Sequence, residues 1–191
     1  MKSVRILQGF VPLIVYGLLA GSSVASVIVA LGAASIITVI IGFSDLRKGM
    51  ILTWANLVLF CSLLIAVGIL GMTGILPIMG MLIYAALAAV TFGSILVKIP
   101  FTLQYARNMV DRTLRERPAF IRVNVLMTGV WGGIFVINFI LDYFAFAYPH
   151  SAGGITPPLT YLFLIAGIIF TIWYPGHLKK KYAPLSAQSD T

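Results

Sequence analysis

A chain of 191 residues that is 60% hydrophobic and only 9% charged is too apolar for a soluble domain, where charged residues make up about a quarter of the total. Its net charge of +8 is spread over short loops between apolar runs, where anionic lipid headgroups are the nearest partner, and nucleic acid is excluded as one. Cys61 is the single cysteine, so an intramolecular disulfide is excluded, and neither His150 nor His177 has a neighbour at metal-ligand spacing. No metal, cofactor or catalytic residue is expected.

Apolar runs fall at about 7–22, 24–44, 51–71, 75–97, 123–147 and 157–174. Spanning the hydrocarbon takes about 20 helical residues, so the predicted fold is all-α: a polytopic membrane bundle of six transmembrane helices forming a single domain over 1–178. All 13 basic residues lie on one side of the alternating pattern. Lys2 and Arg5 precede the first run, Arg47 and Lys48 divide the second from the third, six lie within 98–122, and Lys179, Lys180 and Lys181 follow the sixth. Positive charge is retained inside during insertion, which predicts a multi-pass protein of a bacterial cytoplasmic membrane with both termini cytoplasmic.

The first run, with Lys2 and Arg5 before it and Gly21, Ser22, Ser23 and Ala25 after it, has the outline of a signal peptide. Removing it would spoil the charge alternation, so it reads as a retained helix. Pro12 lies inside it and is expected to bend it.

In the second run small residues recur every fourth position: Ser22, Ser26, Ala30, Ala34, Thr38 and Gly42. Small residues let two helices approach closely in lipid. Two readings stand, a tight contact inside the monomer and a homodimer seam. Trp54 near the start of the third run, and Trp173 with Tyr174 at the end of the sixth, suit the headgroup level.

The segment 98–122 is predicted to be an amphipathic interfacial helix between the fourth and fifth spans. Ile99, Leu103, Ala106, Val110 and Leu114 form its apolar stripe, and Pro100 and Pro118 bound it. Asp111 with Arg115, and Arg112 with Glu116, are placed for helical ion pairs. Arg107, Arg112, Arg115 and Arg117 are candidate contacts for anionic lipid or a cytoplasmic docking partner, although the segment reads first as an elbow between spans, a role compatible with docking. The tail 179–191 reads as basic, then polar and flexible.

Within this segment, Pro100-Phe101-Thr102-Leu103-Gln104-Tyr105-Ala106-Arg107 resembles a motif of a group of uncharacterised bacterial integral membrane proteins. Their plan is similar to that of the intracellular septation protein A family. Pro12, Arg47 with Lys48, Arg122 with Asn124, and Asn138 add to the resemblance, which runs from about residue 8 to 147. Trp131 lies farther from Asn124 than in the family, and the sixth span extends the plan. The resemblance implies a membrane protein of cell-envelope maintenance or division without enzymatic activity.

In the fifth run, Asn124, Thr128, Trp131, Phe135, Asn138 and Asp142 are spaced 4, 3, 4, 3 and 4 residues apart, which places them on one helix face. A polar face of this kind points into a bundle or a wet cavity. Either Asn138, with Asn56, hydrogen-bonds between helices, or Asn138 and Asp142 line a pocket for a cation or polar solute. Asp142 and His150 are too weak a pair to name as catalytic. The expected function is non-enzymatic association with lipid, a membrane-protein partner or a second copy; the alternative is a small transporter or channel.

Overall fold

The computed structural model describes residues 7–108, 110 and 112–187, without the side chains of 114, 152 and 178–187. Helix is the only regular structure among them: α1 (Val11–Leu19), α2 (Val24–Arg47), α3 (Ile51–Leu64), α4 (Met79–Leu96), α5 (Phe101–Arg107), α6 (Arg112–Arg115), α7 (Pro118–Ala147), α8 (Pro149–Ala152) and α9 (Thr156–Ala187). Five stretches are long and apolar enough to cross a membrane: Val24–Arg47, Ile51–Ile69, Thr73–Leu96, Pro118–Ala147 and Thr156–His177. They match the second to sixth runs.

The first run differs from expectation. Its helix α1 has 9 residues, about 14 Å at 1.5 Å per residue, against a hydrocarbon core of about 30 Å. Pro12 lies in the first turn of α1, where its missing N–H costs little. The interruption falls just before it, at the turn over 9–10, and no kink arises inside α1.

Ser23 caps α2 by accepting from Ser26 N at 3.1 Å. Gly49, at φ +67°, turns the chain from α2 into α3, and Met50 N donates to Asp45 O at 3.0 Å to close the turn. After Leu64 the third span continues as a π-helix, Ile65–Ile69, and a 3₁₀ stretch, Thr73–Ile78, leads into α4.

Helix α7 is the axis of the packing. It makes its most extensive interface with α4 and also touches α5 and α9, while α2 bridges α1 and α3. Of its apolar window 44% is buried, against 22–33% for the other four spans. Glycines set the approach of its neighbours. A Cβ on Gly132 would sit 2.8 Å from the Phe92 ring of α4, and one on Gly167 would sit 2.7 Å from Ile134 and 3.1 Å from Trp131. At the far end of α7, Asp142 Oδ2 presses on Gly80 of α4.

The stripe on α2 divides. Ala30, Ala34, Thr38 and Gly42 are buried inside the chain, whereas Ser22 is exposed and Ser26 half-buried. A Cβ on Gly42 would meet Thr53 of α3 at 2.6 Å, so the lower stripe is the α2–α3 contact.

The expected single helix over 98–122 is instead two short helices, α5 and α6, and Pro118 opens α7 where it was expected to close the connection. Ile99, expected on the apolar face, is 44% exposed, while Phe101, Thr102, Leu103 and Tyr105 are buried. The bundle interior, more apolar and better packed than the membrane surface, takes this segment. The Arg112–Glu116 ion pair does not form, and there is no ion pair among the described residues. Arg115 Nε donates to Val110 O at 3.0 Å. Asp111 lies outside the described residues. Helix α9 runs on to Ala187, so 179–187, expected as flexible tail, continues the helix.

Candidate functional site

Two polar layers lie along α7, one at each end of its buried face. The first is built on the 100–107 segment. Thr102 Oγ1 donates to Asn124 O at 2.7 Å and lies 2.8 Å from Thr128 Oγ1. A hydroxyl has one proton to give, so Thr128 is the donor of that second bond. Gln104 Oε1 accepts from Ile51 N at 2.9 Å, satisfying an N–H at the start of α3. Tyr105 and Thr53 share a hydrogen bond of 2.9 Å. Burial pushes the Tyr105 phenol up to about 12, so it stays neutral at physiological pH. Thus α5 is locked to α3 and α7 by three polar side chains, with Phe101 edge-on to Phe10 below them at 6.1 Å.

Thr102→Val is expected to destabilise the bundle by about 1–3 kcal/mol, because it leaves the buried Thr128 hydroxyl without an acceptor. Adding Thr128→Val should cost much less than the sum of the single changes, since both partners are then gone. Detergent-induced unfolding followed by circular dichroism in mixed micelles measures both.

The outer surface of this layer is basic. Lys98, Arg107, Arg112, Arg117 and Arg122 are exposed, as are Arg47 and Lys48 at the adjacent turn. Arg115 is half-buried. Asn56 Nδ2 donates to Gly9 O of the turn before α1 at 2.6 Å. A crevice of about 10 Å³ beside it is lined by Thr38, Asp45, Thr53 and Asn56 among others, room for at most one water.

Along α7 the buried face holds Trp131, which stacks on Phe10 at 3.8 Å and donates from Nε1 to Thr171 Oγ1 at 3.0 Å. The second polar layer lies beyond it. All of Asn124, Thr128, Trp131, Phe135 and Asn138 are buried, and Asp142 is half-buried at the end. The expected interhelical bond of Asn138 is absent: neither amide atom has a partner, although the side chain is fully enclosed. The hydroxyls of Thr156 and Thr160 on α9 and of Thr91 on α4 are also unpartnered. Each such group costs about 1–3 kcal/mol. A further groove of about 280 Å³ lies on the outer faces of α2 and α3, bounded by Ile36, Val39, Ile40, Leu57, Ser35 and Cys61. Its apolar lining suits lipid chains.

Sequence reasoning missed Thr53, Thr102, Gln104 and Tyr105 as a polar lock. The signal was present in three hydrogen-bonding side chains within four residues of a short segment, but the helical spacing of Ile99, Leu103 and Ala106 favoured a surface helix. Thr156 and Thr160 were missed because hydroxyls in an apolar helix usually satisfy themselves.

Comparison of the chain with family models, with curated proteins and with solved structures gave no match. The class that fold and site define is therefore read from the chain itself. Five apolar helices around a buried polar face make it a multi-pass helical membrane protein.

Proposed function

We propose that this is a non-enzymatic protein of a bacterial cytoplasmic membrane, with both termini inside, acting by association through its basic end. Its resemblance to the septation protein A family supports a place in cell-envelope maintenance or division. Both termini inside requires a sixth crossing, and the first run, 7–22, is read as that crossing, with α1 supplying part of its length. The observation that carries the reading is the basic cap: Arg107, Arg112 and Arg117 stand exposed on the connection between α4 and α7, and its first helix, α5, is fixed by Thr102, Gln104 and Tyr105. An array of cations next to the membrane attracts anionic headgroups at about 1 kcal/mol per residue. It also presents a preorganised surface to an acidic partner.

Replacing Arg107, Arg112 and Arg117 together by Gln should lower the preference of the protein for phosphatidylglycerol over phosphatidylcholine by about tenfold or more. Spin-labelled lipids in nanodiscs read this out directly. Crosslinking in native membranes from the same cap, followed by partner identification, tests the association itself. Recovery of lipid and monomer alone counts against it.

A second reading, a small transporter or channel on the α7 face, is favoured by one observation. Both amide atoms of Asn138 lack a partner inside the chain, which leaves their hydrogen-bonding capacity to a ligand.

A further inference from the structure

We infer that the far end of the bundle contains a binding site for one small monovalent cation, of the sodium type, formed by Asp142 and the side-chain oxygens of Asn138, Thr156 and Thr160. The inference rests on the transport reading just given.

The register of α7 against α9 brings these residues together. Gly167 of α9 lies against Trp131 of α7, and Thr171 bonds to the same tryptophan. The two helices run in opposite directions past this contact. Seven residues onward from Trp131 is Asn138, and seven back from Gly167 is Thr160. Eleven onward is Asp142, and eleven back is Thr156. Steps of seven and eleven residues are about two and three helical turns, so counting from the Trp131–Gly167 contact brings the members of each pair to within about a turn of one another in depth.

Unpartnered oxygens gather at this end: of the four buried side chains without a partner among the described residues, three belong to this layer, and Thr91 of α4 is the fourth. Three buried hydroxyls on spanning helices donate to the carbonyl four residues earlier: Ser35 to Leu31 O at 2.8 Å, Thr38 to Ala34 O at 2.7 Å and Thr171 to Gly167 O at 2.8 Å. Thr160 could do the same with Thr156 and does not. Asn138 is 0% exposed, Thr156 5% and Thr160 7%. Three enclosed side chains thus hold back their oxygens at the depth of the one carboxylate on this face.

That composition selects the ligand. Asp142 supplies one negative charge and the other groups are neutral oxygens, a match for charge +1. Among the described residues no cluster of three His, Cys, Asp or Glu exists, and hard divalent ions are held chiefly by carboxylates. The titratable groups that feel the Asp142 charge are Tyr16 of α1 and Tyr84 of α4; Tyr161 of α9 lies near both tyrosines, and His150 on α8 is beyond the end of α7. Tyr161 donates to Gly17 O of α1 at 2.8 Å, tying α9 to α1 next to Thr160. Asp142, half-buried near the end of its helix, gives the ion its way in.

The test is thermal unfolding of the full chain in nanodiscs, with sodium chloride exchanged for N-methylglucamine chloride at constant ionic strength. Sodium should raise the melting temperature saturably. Thr160→Val, which keeps the side-chain shape, and Asn138→Leu should each weaken the half-saturating concentration by about tenfold or more, with the helical circular dichroism unchanged. A melting temperature indifferent to sodium overturns the site, as does an equal response in Thr160→Val. A response to pH without one to sodium also overturns it, because it assigns the layer to a proton and water. Sodium flux in proteoliposomes separates the two readings. Sodium-dependent stabilisation without flux keeps the site and removes transport, whereas flux with no sodium effect in any of these assays removes the site alone.

Discussion

Trp131→Ala is expected to lower the unfolding free energy by about 3 kcal/mol or more, the largest loss from any single truncation in this bundle. The side chain is 1% exposed and joins three elements. It stacks on Phe10 before α1, bonds to Thr171 on α9, and sits against Gly167 of the same helix. In lipid there is no hydrophobic drive between helices, so close packing and hydrogen bonds carry association. Removing the indole opens a cavity that α1 and α9 both border and takes away the donor to Thr171. Thr171 keeps its own bond to Gly167 O at 2.8 Å, which limits the polar part of the cost. Steric-trap or detergent unfolding reads the change, and a loss below about 1 kcal/mol would mean that α9 does not pack where described.

Gly167→Ala is expected to cost about 1–3 kcal/mol by overpacking. Its added methyl would lie 2.7 Å from Ile134 Cδ1 and close to two ring carbons of Trp131 at 3.1 and 3.2 Å. The isoleucine tip can turn aside, but the indole is held by Phe10 and Thr171, so α9 must move outward. The same substitution in the Trp131→Ala background should be nearly neutral or stabilising, because the methyl then enters the space the ring left. Neighbouring sites that share a cavity couple in this way. A double-mutant cycle that comes out additive would contradict the α7–α9 contact, and with it the register used to place Thr160 beside Asn138.

Much of this architecture is legible in the sequence because membrane helices must satisfy their backbones internally and show lipid an apolar surface. Hydropathy alone located the five long helices. The 4-3-4-3-4 spacing from Asn124 to Asp142 located the inward face of α7, every member of which is buried or half-buried. Spacing fails where two patterns compete. Residues 98–122 carry an amphipathic period, yet Phe101, Thr102 and Tyr105 fill the bundle and the helix breaks after Arg107. Periodicity says nothing about register either. Gly80, Gly132 and Gly167 look unremarkable in the chain, and only the meeting of α4, α7 and α9 makes each a close approach. The same limit hid the unpartnered state of Asn138, since a sequence shows that an amide faces inward but not whether anything reaches it.

The orientation of the basic cap underlies the proposed function and is open to direct measurement. In a Cys61→Ser background, Arg112→Cys and His150→Cys place single thiols at exposed positions on opposite ends of α7, a helix of 30 residues. A membrane-impermeant maleimide applied to intact spheroplasts should label His150→Cys and leave Arg112→Cys unlabelled until the membrane is opened. Labelling of Arg112→Cys in sealed spheroplasts, with His150→Cys protected, would contradict a cytoplasmic basic cap.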